Sequence, residues 1–373
     1  MITPIVSRRH FLGAVGATVA GLSARTLPAS QPARDNIRLG MMLQGTSVAE
    51  LQENAKTIAS VGFDLVQVTF FFHPTADELR TLARTLKDLK LSVASLGTYF
   101  NLFRPDDTGF MRCCQATMKI VAAHAELFDC RQFVTWSASY ARQFAAADPR
   151  NHTPEAVAQL HRAIGEVLLP VVEPIGGRVA FEPFFVHVVG TLALAKEVLA
   201  PFPANRIGLL LDPPNLISPD LYPTRQEEML RQFRELGDRI QLCHFKDMKL
   251  NPSGRSVDLP GPGGGQMNYP LLISGLRKLG RPLNCIIEHI KSEPAEMKLG
   301  GSSSRPIRSA EKGANTCCAI SRVPTTCGKY GSKATRPPIG SMIGRTTSRM
   351  ARCSSAMAAG VWLRGSAALN RGA

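Results

Sequence analysis

Residues 207–215 read IGLLLDPPN, an unbroken apolar run that ends on Asp212. Continuous rather than alternating polarity is what a strand buried on both faces requires, and parallel strands covered by helices are buried that way. Seven further runs share the pattern: IRLGMML (37–43), LVQVTF (65–70), SVASLGTY (92–99), QFVTWS (132–137), RVAFEPF (178–184), IQLCHFKD (240–247) and LNCIIEH (283–289).

Segments of helical spacing alternate with these runs. VAELQENAKTIASVG and ADELRTLARTLKDL follow the first two. Thr153-Pro154-Glu155 opens another with a cap residue, a first-turn proline and an acid at the positive helix end. LALAKEVLA, RQEEMLRQFREL and YPLLISGLRKLG come later. Eight β-then-α units in one domain of this size predict an α/β fold, the (β/α)8 TIM barrel. An open doubly wound sheet needs fewer strands and a Gly-rich phosphate turn after the first; Gln44-Gly45-Thr46-Ser47 is no such turn. The barrel is expected over 35–298. KSEPAEMK (291–298) starts an eighth helix that is then incomplete, because the periodicity stops there.

Active sites of this architecture lie at the C-terminal strand ends. The last four strands end in Glu182, Asp212, His244 and Glu288, each after an apolar run. Three carboxylates brought together repel one another unless a cation sits among them. One divalent ion resolves the conflict, and three oxygen ligands with one imidazole suit Mn²⁺, Mg²⁺, Co²⁺ or Zn²⁺.

The runs GFDLVQV, VAFEPF, GLLLDPPN, QLCHFKD and CIIEH, in this order, resemble the xylose-isomerase-like barrels of sugar isomerases and epimerases over roughly residues 36–291. The resemblance implies that Glu182, Asp212, His244 and Glu288 hold one metal and that Glu182 and Glu288 form the proton-transfer pair. It covers ketose epimerases, hydroxypyruvate isomerase, inosose dehydratase and zinc-dependent apurinic endonucleases. The endonucleases build a three-zinc cluster with extra histidines. This chain has eight histidines in all, places Tyr99 and Asn101 where one would be needed, and carries Asn215 three residues after Asp212. The expected activity is therefore isomerisation or epimerisation of a sugar or keto-polyol through an enediolate. A dehydratase on a keto-sugar and a non-catalytic sugar-binding barrel are the alternatives. Lys246, Asn215, Tyr99, Asn101 and Trp136 are expected to line the substrate pocket. Lys246 pairing with Asp247 is the competing expectation for that lysine. His187 and His289 are expected at the surface or behind the ligands. The Gly/Pro-rich loop 248–267 reads as a lid.

The ends of the chain differ from this body. The net charge is +15, yet residues 35–297 carry 27 basic and 28 acidic side chains. The excess sits in 1–34 and in 298–373, so the body offers no basic stripe and no nucleic-acid partner is expected. Arg8-Arg9 before Phe11-Leu12 and a short small-residue stretch predict a twin-arginine-type export signal over 1–34, a matching export machinery as partner and a periplasmic location. The stretch is too short for a stable membrane span. Residues 299–373 read as a basic low-complexity tail, disordered or frameshifted. The nine cysteines show no C-x-x-C spacing and are expected as free thiols. A homo-oligomer is compatible with the sequence.

Overall fold

The computed structural model describes residues 36–290. The export segment 1–34, the expected eighth helix over 291–298 and the tail 299–373 lie outside the described residues. Eight parallel strands close into a barrel: β1 (Ile37–Gly45), β2 (Leu65–Phe70), β3 (Ser92–Gly97), β4 (Gln132–Trp136), β5 (Arg178–Glu182), β6 (Ile207–Leu211), β7 (Ile240–Phe245) and, after a small ribbon, β10 (Leu283–Ile287). Each pairs with its sequence neighbour, and β10 closes the ring on β1 with Ile37 opposite Leu283 and Met41 opposite Ile287. The α/β barrel class read from the sequence is the fold observed.

The helices form where caps and spacing place them. α1 (Val48–Ser60) starts at Ser47, whose hydroxyl accepts from the Glu50 N–H. α2 (Ala76–Asp88) starts at a capping box between Thr75 and Glu78, which satisfies two otherwise orphaned donors. α3 (Gln115–Ala123) follows β3. α4 (Pro154–Ala163) begins at Thr153 and widens through a π-turn (Ile164–Leu168) into α5 (Leu169–Val172). Pro170 lacks an N–H there, so the regular ladder cannot be kept. α6 (Leu192–Leu199), α7 (Arg225–Leu236) and α8 (Tyr269–Lys278) complete the outer layer. Among the described residues no helix is long and apolar enough to cross a membrane.

Two apolar layers follow from the two-residue repeat of a strand. Outward side chains such as Val68, Phe133, Phe181, Leu211, Cys243 and Ile287 pack against helix residues such as Leu51, Leu82, Leu160 and Leu272. Inward side chains, Leu65, Val134, Ala180, Leu210, Leu242 and Ile286, form a separate inner cluster. Each inner residue on the last four strands stands two positions before an expected ligand. Ala180 precedes Glu182, Leu210 Asp212, Leu242 His244 and Ile286 Glu288. The repeat therefore aims all four into the barrel mouth, on top of a filled apolar floor.

The segment after β7 is less open than its composition suggests. β8 (Lys249–Leu250) and β9 (Val257–Asp258) pair as a short antiparallel ribbon. The five described cysteines are free, and four of them are buried.

Candidate metal centre and active site

Glu182, Asp212, His244 and Glu288 converge, with one ligand atom from each within 4.8 Å of the others, and all four are buried. His244 Nδ1 lies 3.2 Å from Glu288 Oε2, 3.6 Å from Glu182 Oε2 and 3.9 Å from Asp212 Oδ2. Asp212 Oδ1 makes no hydrogen bond, and His244 Nδ1 faces carboxylate oxygens only. A buried carboxylate oxygen without a partner is costly, and three carboxylates gathered round one imidazole suit a cation. A divalent ion about 2.1 Å from each donor accepts donors about 4.2 Å apart at most, so small side-chain movements close the sphere. The donor set fits such an ion.

Gln67 prepares the imidazole. Its Oε1 accepts from the Ser95 hydroxyl at 2.9 Å and stands 3.2 Å from His244 Nε2. That acceptor assigns the proton to Nε2 and leaves the Nδ1 lone pair for an ion, the usual outer partner of a metal-binding histidine. Gln67 Nε2 donates to the Tyr99 hydroxyl at 3.0 Å. Tyr99 in turn donates to Glu182 Oε2 at 2.8 Å, and Asn215 Nδ2 donates to Glu182 Oε1 at 2.9 Å. Both oxygens of Glu182 are thus held.

Lys246 supplies the only close ammonium among the described residues. Its Nζ contacts Asp212 Oδ2 and lies 2.7 Å from Glu288 Oε1. Burial opposes charge on Glu288, but Lys246 and His244 override it and hold its carboxyl well below the usual range. Asp212 goes the other way: burial outweighs Lys246 and raises it. Burial likewise opposes charge on His244, yet without an ion Glu288 and Glu182 lift it to about 10, so an ion at Nδ1 would take the place of that proton. Burial, then Glu182, raises the Tyr99 phenol, which stays a donor.

Asp247 does not pair with Lys246. Successive residues point opposite ways, and its carboxylate accepts the backbone N–H groups of Met248, Met267 and Gly263 at 2.7–3.0 Å. The loop expected to be a lid is therefore pinned at both ends. A Cβ at Gly265 would meet Asp247 Oδ1 at 2.5 Å, so glycine is what lets the loop approach.

The remaining predicted pocket residues divide. Trp136 sits beside Tyr99, 5.1 Å between ring centres, with its Nε1 unpartnered. Asn101 is fully buried and bonds to loop backbone: Ser139 O accepts from it, and the N–H groups of Phe103 and Ser139 donate to it. It ties two loops at the mouth together. His187 is not at the surface; Phe110, Trp136, Phe144 and Phe184 surround it at 5.0–5.6 Å, and its Nε2 lies 2.8 Å from Phe144 O. Burial lowers it to about 4. His289 lies 3.8 Å from Glu288 Oε1. Gln67, Asp247, Phe144 and Phe184 were not foreseen from the sequence.

The family model for the xylose isomerase-like TIM barrel matches residues 55–309. The chain belongs to that family. Solved structures agree on the fold. A xylose isomerase domain protein from Planctomyces limnophilus shares 17% identity over 73% of this chain and 96% of its own, at a TM-score of 0.54. 3-Keto-D-glucoside 4-epimerase from E. coli shares 14% over 73% and 99%, at 0.52. A xylose isomerase-like TIM barrel protein from Mycobacterium smegmatis, in complex with magnesium, shares 16% over 70% and 88%, at 0.51. No curated protein matches the chain. In this xylose isomerase-like barrel the buried Glu, Asp, His, Glu cluster could hold a metal ion.

Proposed function

We propose that this barrel is a metal-dependent isomerase or epimerase of a sugar or keto-polyol, with Glu182 and Glu288 as its proton-transfer pair. One observation carries the reading: four buried ligand atoms lie within 4.8 Å of one another, with Asp212 Oδ1 making no hydrogen bond. Glu182, Asp212, His244 and Glu288 would hold the ion. When bound, a divalent ion polarises an α-hydroxy carbonyl and offsets the charge of the enediolate. The side chains do the rest. Glu182 and Glu288 close β5 and β10, with β6 and β7 between them, so the two carboxylates approach the barrel mouth from different directions. Glu288, kept ionised by Lys246, removes the proton; Glu182, oriented by Tyr99 and Asn215, returns it. Return to the opposite face epimerises, and return to the neighbouring carbon isomerises. Trp136, beside Tyr99, offers an unpartnered indole N–H to a substrate oxygen. The magnesium complex of one fold relative and the 3-keto-glucoside epimerase activity named for another support the class. We propose further that the paired arginines direct the chain to the twin-arginine export route and the periplasm.

The test is elemental analysis of purified protein, then keto-sugars offered in deuterated water with and without chelator. Deuterium entering unreacted or isomerised sugar, lost on chelation and restored by Mn²⁺ or Mg²⁺, is the expected result. Loss of water from the sugar would replace the isomerase with a dehydratase. Sugar binding with neither metal nor exchange would leave a binding protein.

A further inference from the structure

At the opposite end of the barrel, where the strands begin, lies a cavity of about 540 Å³. Arg131, Arg178 and Arg206 line it, together with Gln132, Asn205 and Asn284. The three arginines come from the starts of three consecutive strands. Arg178 pairs in register with Gln132, and Arg178 N–H donates to Arg131 O at 2.9 Å; Val179 N–H donates to Arg206 O at 2.8 Å. Arg178 and Arg206 therefore stand side by side on strands about 4.8 Å apart, on the same face as Gln132, and Arg131 lies at the edge of the cavity. Asp129 is the one carboxylate on the cavity wall, and it forms no ion pair with any of them. Among the described residues, Arg131 and Arg178 make no side-chain hydrogen bond, and Arg206 makes one, to Gly177 O at 3.2 Å. Like charges so placed repel one another, and their forked donors remain unused. Gln132, nearly fully buried, has an Oε1 that accepts no hydrogen bond. The cavity thus offers positive donors whose hydrogen-bonding capacity is largely unused.

We propose that this cavity is a second binding site, for a small oxyanion of two or more negative charges, the anion being a phosphate or a polycarboxylate. Guanidinium forks match both groups. The site is separate from the metal centre by the length of a five-residue strand, roughly 16 Å, and does not depend on the function proposed above. A ligand there ties the starts of β4, β5 and β6 together, so it raises the melting temperature.

The full chain is titrated calorimetrically with inorganic phosphate and, separately, with citrate, at fixed ionic strength. Saturable binding of one or both is expected, weakened about tenfold or more in Arg178→Gln/Arg206→Gln and largely retained in Arg178→Lys/Arg206→Lys. Glu288→Gln should bind as the parent does. The tighter of the two anions identifies the group. Circular dichroism verifies that each variant is folded. Absence of saturable heat with both anions overturns the proposal. So does equal affinity in the double glutamine variant, which assigns the binding to the basic chain ends, or loss of binding in Glu288→Gln, which moves it to the metal centre.

Discussion

Glu288 and Glu182 are both buried carboxylates of the same cluster, yet their surroundings differ. Glu288 leans on Lys246 at 2.7 Å and His244 at 3.2 Å, whereas both oxygens of Glu182 take neutral hydrogen bonds. If Glu288 is the base, Glu288→Gln lowers turnover about 10²–10⁴-fold while the thermal transition stays cooperative; full activity in that variant would remove the mechanism. Gln67 acts one step back. Gln67→Leu deprives His244 Nε2 and Tyr99 of their shared partner, and metal binding measured by calorimetry should weaken about 10–100-fold. An unchanged metal affinity would show that the imidazole is positioned by packing alone. The four ligands were legible because each is a lone titratable residue closing an apolar run. Gln67 was not, because one polar residue inside LVQVTF reads equally as a strand position facing water. Only ring closure turns that position inward.

At the level of elements, the loop after β7 shows what composition conceals. Its glycines and prolines suggested a mobile flap, but the ribbon of β8 and β9 and the three N–H groups on Asp247 fix it. Asp247→Asn keeps one acceptor oxygen and loses the charge, so the loop should loosen by about 1.5–3 kcal/mol. Limited proteolysis within 248–267 should accelerate by about tenfold or more; cleavage at the parental rate would mean the ribbon alone holds the loop. The same segment decides against the competing expectation for Lys246. Lys246 and Asp247 are adjacent and opposite in charge, but a strand end sends them apart, one to the metal cluster and one to the loop. α3 escaped notice for another reason. Its first turn has neither an acid nor a side-chain cap, since Cys114 stands at the cap position and makes no such bond.

Across the whole molecule, stability should depend on acid through His187. The aromatic cluster keeps this ring neutral, with its pKa near 4 against about 6.5 in an unfolded chain. The unfolded form therefore binds the extra proton between those values. The stability gained from a neutral His187 is complete above about pH 6.5 and is lost as pH falls towards 4, about 2 kcal/mol of it by pH 5. His152 and Glu182 also act electrostatically on this ring, and the comparison must be differential. Urea unfolding at pH 7 and pH 5 should show a larger drop in the parent than in His187→Gln; equal drops would reject the assignment. The eight-strand order was readable because each strand supplies its own buried run, whereas the aromatic cluster is built from Phe110, Trp136, Phe144, Phe184 and His187, scattered over four separate loops and strand ends.

Ring closure has a further implication for biosynthesis. Glu288 arrives one residue beyond the strand that seals the barrel against β1, so the coordination sphere acquires its last member only when the final staves meet. A nascent polypeptide still short of that point presents three donors on an unsealed sheet. In the proposed metal centre, ion capture would report that the cylinder is finished, and the cation of the compartment where sealing happens would be the one the protein meets first.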